Sequence, residues 1–231
     1  MAIYVQEYKL YLDIQPGDMD SFRHKGLRKK LIESIRSKGI LNEDVLEAMD
    51  RVPRHLFMDS SFINFSYTDK AFPIAAGQTI SQPYTVAFQT ELLEVERHHK
   101  VLEVGTGSGY QTAVLLEMGA RVYTIERQRQ LFLDAQKILA PLNYKPVFFF
   151  GDGYEGLPAY APFDRILVTA AAPLIPQSLL DQLAIDGVLV VPEGGPSGQK
   201  MVRILRESEE KFTRSEHGYF SFVPLLRGKN S

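Results

Sequence analysis

The chain has 231 residues, of which 45% are hydrophobic and 23% are charged, proportions that are ordinary for a globular protein with a large core. Its formal net charge of −2 gives no overall attraction to nucleic acid or to an anionic membrane. The absence of cysteine excludes disulfides, thiolate catalysis and metal sites with cysteine ligands. The five histidines lack a metal-binding spacing such as HExxH, so we predict no metal site.

No segment approaches the roughly eighteen consecutive apolar residues that a membrane-spanning helix requires. The N-terminus also lacks the basic and then apolar order of a signal peptide. We therefore expect a cytoplasmic protein without a membrane partner.

The first part of the chain predicts two helices followed by irregular structure. Residues 1–20 have weak periodicity and end in a Pro-Gly turn signal, so we expect an extension of uncertain order. A first helix ends near Gly39, and a second begins after the capping residue Asn42 and stops before Pro53. The apolar face of the first helix comprises Leu27, Leu31, Ile32 and Ile35. The aromatic segment 54–76 is expected to pack over a larger unit.

From residue 84 onward, helical and strand patterns alternate. The predicted strands are KVLEV (100–104), RVYTI (121–125), PVFFF (146–150), DRILVT (164–169), GVLVVP (187–192), KMVRILR (200–206) and YFSFVPLL (219–226). Most are continuous apolar runs, which is typical of a parallel sheet with helices on both faces. The polar connection 207–218 is too short for a crossover helix, so we expect an antiparallel hairpin at the C-terminal end.

These elements predict an α/β fold. It has a doubly wound, mostly parallel seven-stranded Rossmann-like sheet with an antiparallel C-terminal hairpin and extra N-terminal helices. The predicted organisation has three parts. They are an N-terminal extension (1–20), a helical and loop subdomain that covers the site (21–83), and a ligand-binding core that includes the hairpin (84–231).

The segment VLEVGTGSGY (101–110) carries a buried strand into a turn with three glycines, and a helix follows at once. Such a turn lets a ligand approach the backbone N–H groups at a helix N-terminus. The dinucleotide pattern G-x-G-x-x-G would require glycine at 110, where the chain has Tyr110. The turn alone is weak evidence for a ligand, because any strand-to-helix turn may use glycines, and it matches neither the dinucleotide pattern nor a P-loop.

Two acidic residues follow neighbouring strands at the same predicted sheet edge. Glu126 ends RVYTI, where a carboxylate can accept both hydroxyls of a ribose. Asp152 lies in GDG (151–153), where it suits an acceptor for an adenine amino group, although GDG is also a common turn.

The segment GQTISQP (77–83) contains no residue that is an obvious general base. Pro83 suits the first position of a helix, which makes Gln82 its N-cap and Ser81 the preceding residue. From spacing alone, Ser81 is either a turn residue or a group that contacts substrate.

The chain resembles the class I S-adenosylmethionine-dependent methyltransferases and, more closely, the family of protein-L-isoaspartate O-methyltransferases. The resemblance covers about residues 22–226. The segments that carry it are GILNEDVLEAMDRVPRHLF (39–57), AGQTISQPYTVA (76–87), VLEVGTGSGYQTAVL (101–115), GDGYEG (151–156), FDRILVTAAAP (163–173) and FVPL (222–225). GQTISQP is the most diagnostic of them, because most other methyltransferases of this fold lack it.

This resemblance implies methylation of the free α-carboxylate of L-isoaspartyl residues in damaged proteins and peptides, with S-adenosylmethionine as cofactor and S-adenosylhomocysteine as product. Ser81 matches the active-site serine, and Gln78, Thr79 and Ile80 match the segment that passes over the cofactor. The methionine part is implied to contact Glu103, Gly105, Thr106, Gly107 and Gly109. The ribose is implied to contact Glu126 and Arg127, and the adenine Asp152 and Gly153.

The implied reaction explains the absence of a base. A carboxylate with a pKa near 4 is already ionised at neutral pH, so its attack on a methyl group requires no proton removal. A serine hydroxyl can orient that carboxylate through a hydrogen bond without neutralising it. We therefore predict an orienting role for Ser81, and the positive N-terminal end of the helix that Pro83 begins is the alternative.

Two positions depart from the family pattern. Tyr154 follows GDG where many members have tryptophan, which is expected to alter the contact with adenine. Glu193 replaces a small apolar residue in VPEGG, and a carboxylate that faced the substrate entrance would disfavour acidic peptides.

Other functions remain open at this point. A methyltransferase of the same fold could act on a small molecule or on RNA, since a fold does not fix a function. RNA binding would favour a basic face, and only residues 23–30 offer one, which we interpret as a solvated helix face. A nicotinamide-dependent oxidoreductase is disfavoured by Tyr110, and a non-catalytic nucleotide-binding protein is a further alternative. We expect a monomer without a nucleic-acid partner.

Overall fold

The computed structural model describes residues 20–230. The helices are α1 (Phe22–Ser37), α2 (Glu43–Arg51), α3 (Pro83–Leu93), α4 (Tyr110–Glu117), α5 (Arg129–Leu139) and α6 (Gln177–Asp181). The strands are β1 (Phe72–Pro73), β2 (Thr79–Ile80), β3 (Lys100–Val104), β4 (Arg121–Glu126), β5 (Val147–Phe150), β6 (Phe163–Val168), β7 (Leu183–Gly195), β8 (Gly198–Arg206) and β9 (Phe212–Phe220). No helix among these residues is long and apolar enough to cross a membrane.

The central sheet has seven strands in the order β5-β4-β3-β6-β7-β8-β9. The first five are parallel, whereas β7, β8 and β9 pair antiparallel. The predicted fold class is therefore confirmed. The strands β1 and β2 form a small separate sheet that the sequence patterns did not predict.

Both faces of the central sheet are buried. In β3, Val101 belongs to a hydrophobic cluster that includes Leu31 and Leu46 of the N-terminal helices. The next residue, Leu102, belongs to the cluster on the other face, together with Leu179 of α6. Because successive side chains of a strand point to opposite faces, a strand covered on both sides is continuously apolar, as KVLEV nearly is.

The N-terminal helices begin and end where local signals predict. The Asn42 side chain accepts a hydrogen bond from the backbone N–H of Val45, and the positive φ of Gly39 follows α1. In the basic stretch 23–30, Arg28 is buried and is therefore an exception to the predicted solvated face. These helices share a cluster with the sheet, and the division into parts stays a prediction. Nearly all of the extension 1–20 lies outside the described residues.

The predicted final strand, 219–226, was wrong. The chain turns back at residues 207–211, and β9 occupies most of the segment predicted to be a connection. β9 is an edge strand in which every residue is half-buried or exposed, so it lacks the apolar run that signals a buried strand. The apolar segment FVPL bonds instead to Ala171, whose N–H donates to the Val223 carbonyl at 2.8 Å.

Candidate active site

A narrow crevice lies at the carboxyl ends of β3, β4 and β5. Its volume is about 70 Å³. The predicted cofactor residues that line it are Gln78, Thr79, Gly105, Gly107, Glu126, Arg127 and Gly153. One side is closed by Val223, Pro224, Leu225 and Leu226. Residues from distant segments therefore meet at one sheet edge, where open α/β sheets bind ligands.

The glycine turn and Glu126 form one hydrogen-bonded unit. Gly105 has a φ of 98°, and a Cβ there would lie 2.4 Å from Thr169 Oγ1, so the position excludes a side chain. The backbone N–H of Gly107 donates to Glu126 Oε2 at 3.0 Å, and that of Gln128 donates to Oε1 at 2.8 Å. A carboxylate has about four lone-pair sites, so Glu126 keeps capacity for two hydroxyl groups.

Glu103 lies fully buried behind the turn. Its Oε2 accepts hydrogen bonds from the hydroxyls of Thr112 at 2.5 Å and Thr124 at 2.7 Å. The hydroxyl of Thr106 lies 2.6 Å from that of Thr124. Glu103 Oε1 has no hydrogen-bond partner among the described residues. Burial raises the pKa of the Glu103 carboxyl to about 8, against the effect of both threonine hydrogen bonds.

Five predicted cofactor residues do not line the crevice, namely Ile80, Glu103, Thr106, Gly109 and Asp152. All of them except Asp152 are buried. Gly109 caps α4 with a φ of 86°, which keeps the glycine turn joined to the helix.

Asp152 and Arg127 are engaged by the C-terminal strap, which we define as residues 226–230. The backbone N–H of Gly228 donates to Asp152 Oδ2 at 2.6 Å. The Arg127 guanidinium donates from Nε to the Gly228 carbonyl at 3.0 Å and from Nη2 to the Arg227 carbonyl at 3.3 Å. Two of the four residues that we predicted to hold the nucleoside, Arg127 and Asp152, therefore bond to the strap.

Further contacts fix the end of the strap. Asn230 pairs with the chain after β4, since its N–H donates to the Arg127 carbonyl at 2.8 Å and its carbonyl accepts from Arg129 at 2.9 Å. Its side chain donates to Gln128 Oε1 at 2.6 Å. The strap is exposed to solvent and yet bonded at Arg227, Gly228 and Asn230.

Ser81 lines a larger cleft of about 1,100 Å³. This cleft shares Thr79, Thr169 and Val223 with the crevice, so the two spaces adjoin. Its aromatic lining residues are Tyr84, Phe88, Tyr219, Phe220 and Phe222. No Asp, Glu, Lys, Arg or His lies among the described residues that line it.

Two charged residues outside GQTISQP hold this segment in place. Gln82 and Pro83 begin α3 as predicted. Asp69 accepts from the Tyr84 N–H at 2.8 Å and from Gln82 Nε2 at 3.0 Å. Arg54 Nη2 donates to the Ser81 carbonyl at 2.8 Å. Because Asp69 already places an anion at the N-terminus of α3, Ser81 is the better candidate for orienting a second carboxylate.

A family model for the protein-L-isoaspartate(D-aspartate) O-methyltransferases matches residues 26–230. The chain belongs to this family. A protein-L-isoaspartate O-methyltransferase of Christiangramia forsetii is 57% identical over 91% of this chain and 99% of its own. One of Flavobacterium johnsoniae is 56% identical with the same coverage. A solved Plasmodium falciparum protein-L-isoaspartate O-methyltransferase, in complex with S-adenosyl-L-homocysteine, is 26% identical with a TM-score of 0.75, covering 86% of this chain and 98% of that one.

The two departures from the isoaspartate methyltransferase pattern both have partners in the structure. The Tyr154 ring lies 4.4 Å from the Arg227 guanidinium, and its hydroxyl donates to the Leu225 carbonyl at 3.3 Å. Tyr154 therefore contacts the C-terminal segment and does not line the crevice. Glu193 is paired with Arg214 at 2.8 Å, so its charge is countered within the protein. Its predicted effect on acidic peptides stays a prediction.

A group of side chains with metal-binding chemistry lies in the N-terminal part, where Asp20, His24 and His55 offer atoms within 4.8 Å of one another. The Asp20 carboxylate is held by Arg28 through two bonds of 3.0 Å. The Tyr67 hydroxyl lies 2.7 Å from His55 Nδ1. The group is therefore largely engaged with protein partners, and the absence of a metal stays a prediction.

The sequence patterns did not identify Arg54, Asp69 or the strap, which bond to the Ser81 carbonyl, to the start of α3 and to Asp152. A cation within the apolar pattern VPRHLF is the signal that could have indicated a buried Arg54. Asp69 and the strap contact residues that are distant along the chain, so no local sequence pattern predicts their contacts.

Proposed function

We propose that the chain transfers a methyl group from S-adenosylmethionine to the free α-carboxylate of L-isoaspartyl residues in proteins and peptides. The main support is that the Ser81 cleft adjoins the glycine-turn crevice. A substrate carboxylate in the cleft can therefore reach the methyl group of a cofactor held in the crevice. Family membership supports the substrate class. The resulting ester closes to a succinimide, which hydrolyses partly to normal aspartate and so begins repair.

The residues at the crevice fit the cofactor. Glu103 is a buried carboxyl with an unpartnered oxygen, which suits a ligand that carries an ammonium group. Glu126 retains acceptor capacity for the ribose, with Arg127 beside it, and Asp152 and Gly153 are the proposed adenine contacts. The remaining proposed contacts are Gln78, Thr79, Ile80, Gly105, Thr106, Gly107 and Gly109. When bound, S-adenosylmethionine supplies a methyl group activated by its sulfonium.

The cleft favours a reactive carboxylate. An isoaspartyl carboxylate is ionised at neutral pH, and no charged side chain lines the cleft to neutralise it. The Ser81 hydroxyl can donate one hydrogen bond to that carboxylate. The Tyr219 ring, 76% exposed in the cleft wall, is offered to a flanking side chain of the peptide. The protein contributes orientation, and proton transfer is unnecessary.

Matched peptides test this function. The protein is incubated with methyl-labelled S-adenosylmethionine and two peptides that differ only in carrying isoaspartate or aspartate. We expect base-labile label on the isoaspartyl peptide alone. Label on neither peptide, or equal label on both, would overturn the proposal.

The remaining partner and location assignments stay predictions. RNA as the substrate gains no support from the cleft, which presents no cation to a phosphate backbone. A monomeric state, the absence of a nucleic-acid partner and a cytoplasmic location rest on the sequence pattern alone.

A further inference from the structure

Arg54 is a buried cation on which three segments of the chain meet. Arg54 is only 1% exposed to solvent. Nε donates to the Ser66 carbonyl at 3.1 Å, and Nη2 donates to the Ser81 carbonyl at 2.8 Å. Nη1 is buried and has no hydrogen-bond partner among the described residues.

The other side of the guanidinium faces the start of α4. The Arg54 Cζ lies 4.8 Å from the centre of the Tyr110 ring. Tyr110 is itself buried and follows Gly109 directly, so it is the first residue after the glycine turn. One side chain therefore contacts both the segment that carries Ser81 and the helix that begins at the cofactor crevice.

This arrangement is unfavourable for folding alone. No carboxylate among the described residues forms a salt bridge with Arg54. Burial lowers the pKa of the guanidinium to about 10, so the group is still charged at neutral pH. A buried charge without an ion pair carries a desolvation penalty that an apolar side chain of similar volume would avoid. A role in the reaction accounts for its presence better than a role in packing does.

We propose that Arg54 is a positioning residue that sets the place of Ser81 relative to the glycine turn, by joining the Ser81 carbonyl to the start of α4. This rests on the proposed function. Hydrogen bonds from a charged donor are shorter and stronger than neutral ones, so the guanidinium restrains the Ser81 backbone closely. A misplacement of about 1 Å in such a site can cost about 100-fold in rate.

The first test compares two buried arginines that both donate to backbone carbonyls. Arg165 bonds to the carbonyls of Glu94 at 2.9 Å and Asp164 at 2.8 Å and lines neither the crevice nor the cleft, so Arg165→Lys is the matched control. We expect Arg54→Lys to lower kcat/KM for an isoaspartyl peptide at least about tenfold. Its dissociation constant for S-adenosylhomocysteine, measured by calorimetry, should change less than about threefold. Equal losses of kcat/KM in both variants would contradict a positioning role.

A double-mutant cycle with Ser81→Ala separates positioning from general destabilisation. If Arg54 acts through Ser81, then Ser81→Ala costs much less in the Arg54→Lys background than in the wild type. If the loss of kcat/KM in the double variant equals the product of the two single losses to within about twofold, the positioning role is overturned. The proposed function would remain intact. An inactive wild type would instead refute the proposed function itself.

A third test uses the wild-type protein, so its result does not depend on whether a variant folds. Side-chain NMR follows the exchange of the Arg54 Nη protons with solvent. We expect S-adenosylhomocysteine to slow this exchange, because an occupied crevice fixes the turn on which the Tyr110 ring depends. Exchange that is unaffected by S-adenosylhomocysteine would contradict the link between Arg54 and the turn.

Discussion

The Ser81 hydroxyl is set in a lining that has neutral hydrogen-bonding groups and aromatic rings but no charged side chain. In such surroundings one hydrogen bond to an ionised carboxylate is strong, because no cation competes for that carboxylate. No general base is needed beside Ser81, because the substrate carboxylate is already ionised when it binds.

Replacement of Ser81 by alanine tests this role. We expect Ser81→Ala to lower kcat/KM for an isoaspartyl peptide about 10- to 100-fold, the range for losing a hydrogen bond to a charged group. Steady-state kinetics provide the measurement. Ser197→Ala removes another cleft hydroxyl and is the control, which should change kcat/KM less than about threefold. Similar effects of both substitutions would contradict the special role of Ser81.

Glu103 couples stability to pH. Burial raises the pKa of its carboxyl in the folded protein from 4.5 to about 8, so the folded state holds a proton that the unfolded state releases between these values. The contribution of the protonated Glu103 carboxyl to the free energy of unfolding is therefore complete below about pH 4.5. It is lost as the pH rises toward 8, because the unfolded state then releases the proton that the folded state retains. Glutamine imitates the protonated carboxyl. We expect Glu103→Gln to gain stability relative to the wild type between pH 5 and pH 8.

Urea denaturation at the two pH values measures this difference. The exposed substitution Glu155→Gln makes the same change of charge and serves as the control. A stability difference between Glu103→Gln and the wild type that falls as the pH rises would show that burial does not govern this carboxyl.

At the scale of elements, the start of α3 depends on a residue that lies outside the helix. Gln82 provides no side-chain cap, and Asp69 supplies the acceptor for the Tyr84 N–H instead. This bond fixes the direction in which α3 leaves the Ser81 segment. Asp69 also forms an ion pair with Lys38 at 2.5 Å, which ties the site to the end of α1.

Removal of this cap is expected to loosen the segment. Asp69→Ala should lower the free energy of unfolding by about 1–2 kcal/mol, as other losses of a helix cap do, and should also reduce kcat/KM. Asp59→Ala is the control, because Asp59 caps a short 3-10 turn by accepting from Ser61 and lines neither space. A loss of stability with unchanged kcat/KM would restrict Asp69 to a structural role.

The elements that local signals specify were predicted well. Asn42 and Pro83 begin helices because their own chemistry favours those positions, and the glycine turn follows from backbone sterics. The edge strand β9 was missed because an edge strand needs no apolar run, whereas the apolar FVPL segment packs without being a strand of the sheet. Arg54 and Asp69 could not be assigned from sequence, since their roles depend on partners distant along the chain.

At the scale of the whole molecule, the strap joins the end of the described chain to Arg127 and Asp152, the predicted nucleoside contacts. Arg127 makes two bonds to strap carbonyls, and its neighbour Arg129 uses only its backbone there. We expect Arg127→Ala to raise the dissociation rate of S-adenosylhomocysteine about tenfold, the cost of a lost charge-assisted hydrogen bond.

Stopped-flow displacement measures this rate, with Arg129→Ala as the matched control. Equal dissociation rates for Arg127→Ala and the wild type would show that the strap does not retain the ligand.

The strap also has a consequence for affinity. Pockets for small ligands usually measure about 300 Å³ or more, and the crevice beneath the strap measures about 70 Å³. The described crevice is narrower than such pockets, so we expect cofactor to enter when the crevice widens. The observed dissociation constant then equals the intrinsic constant divided by the fraction of molecules in the wider form. Substitutions that weaken the strap are therefore expected to have two opposing effects on affinity. They increase the fraction of molecules that can accept cofactor, and they shorten the time for which bound cofactor stays.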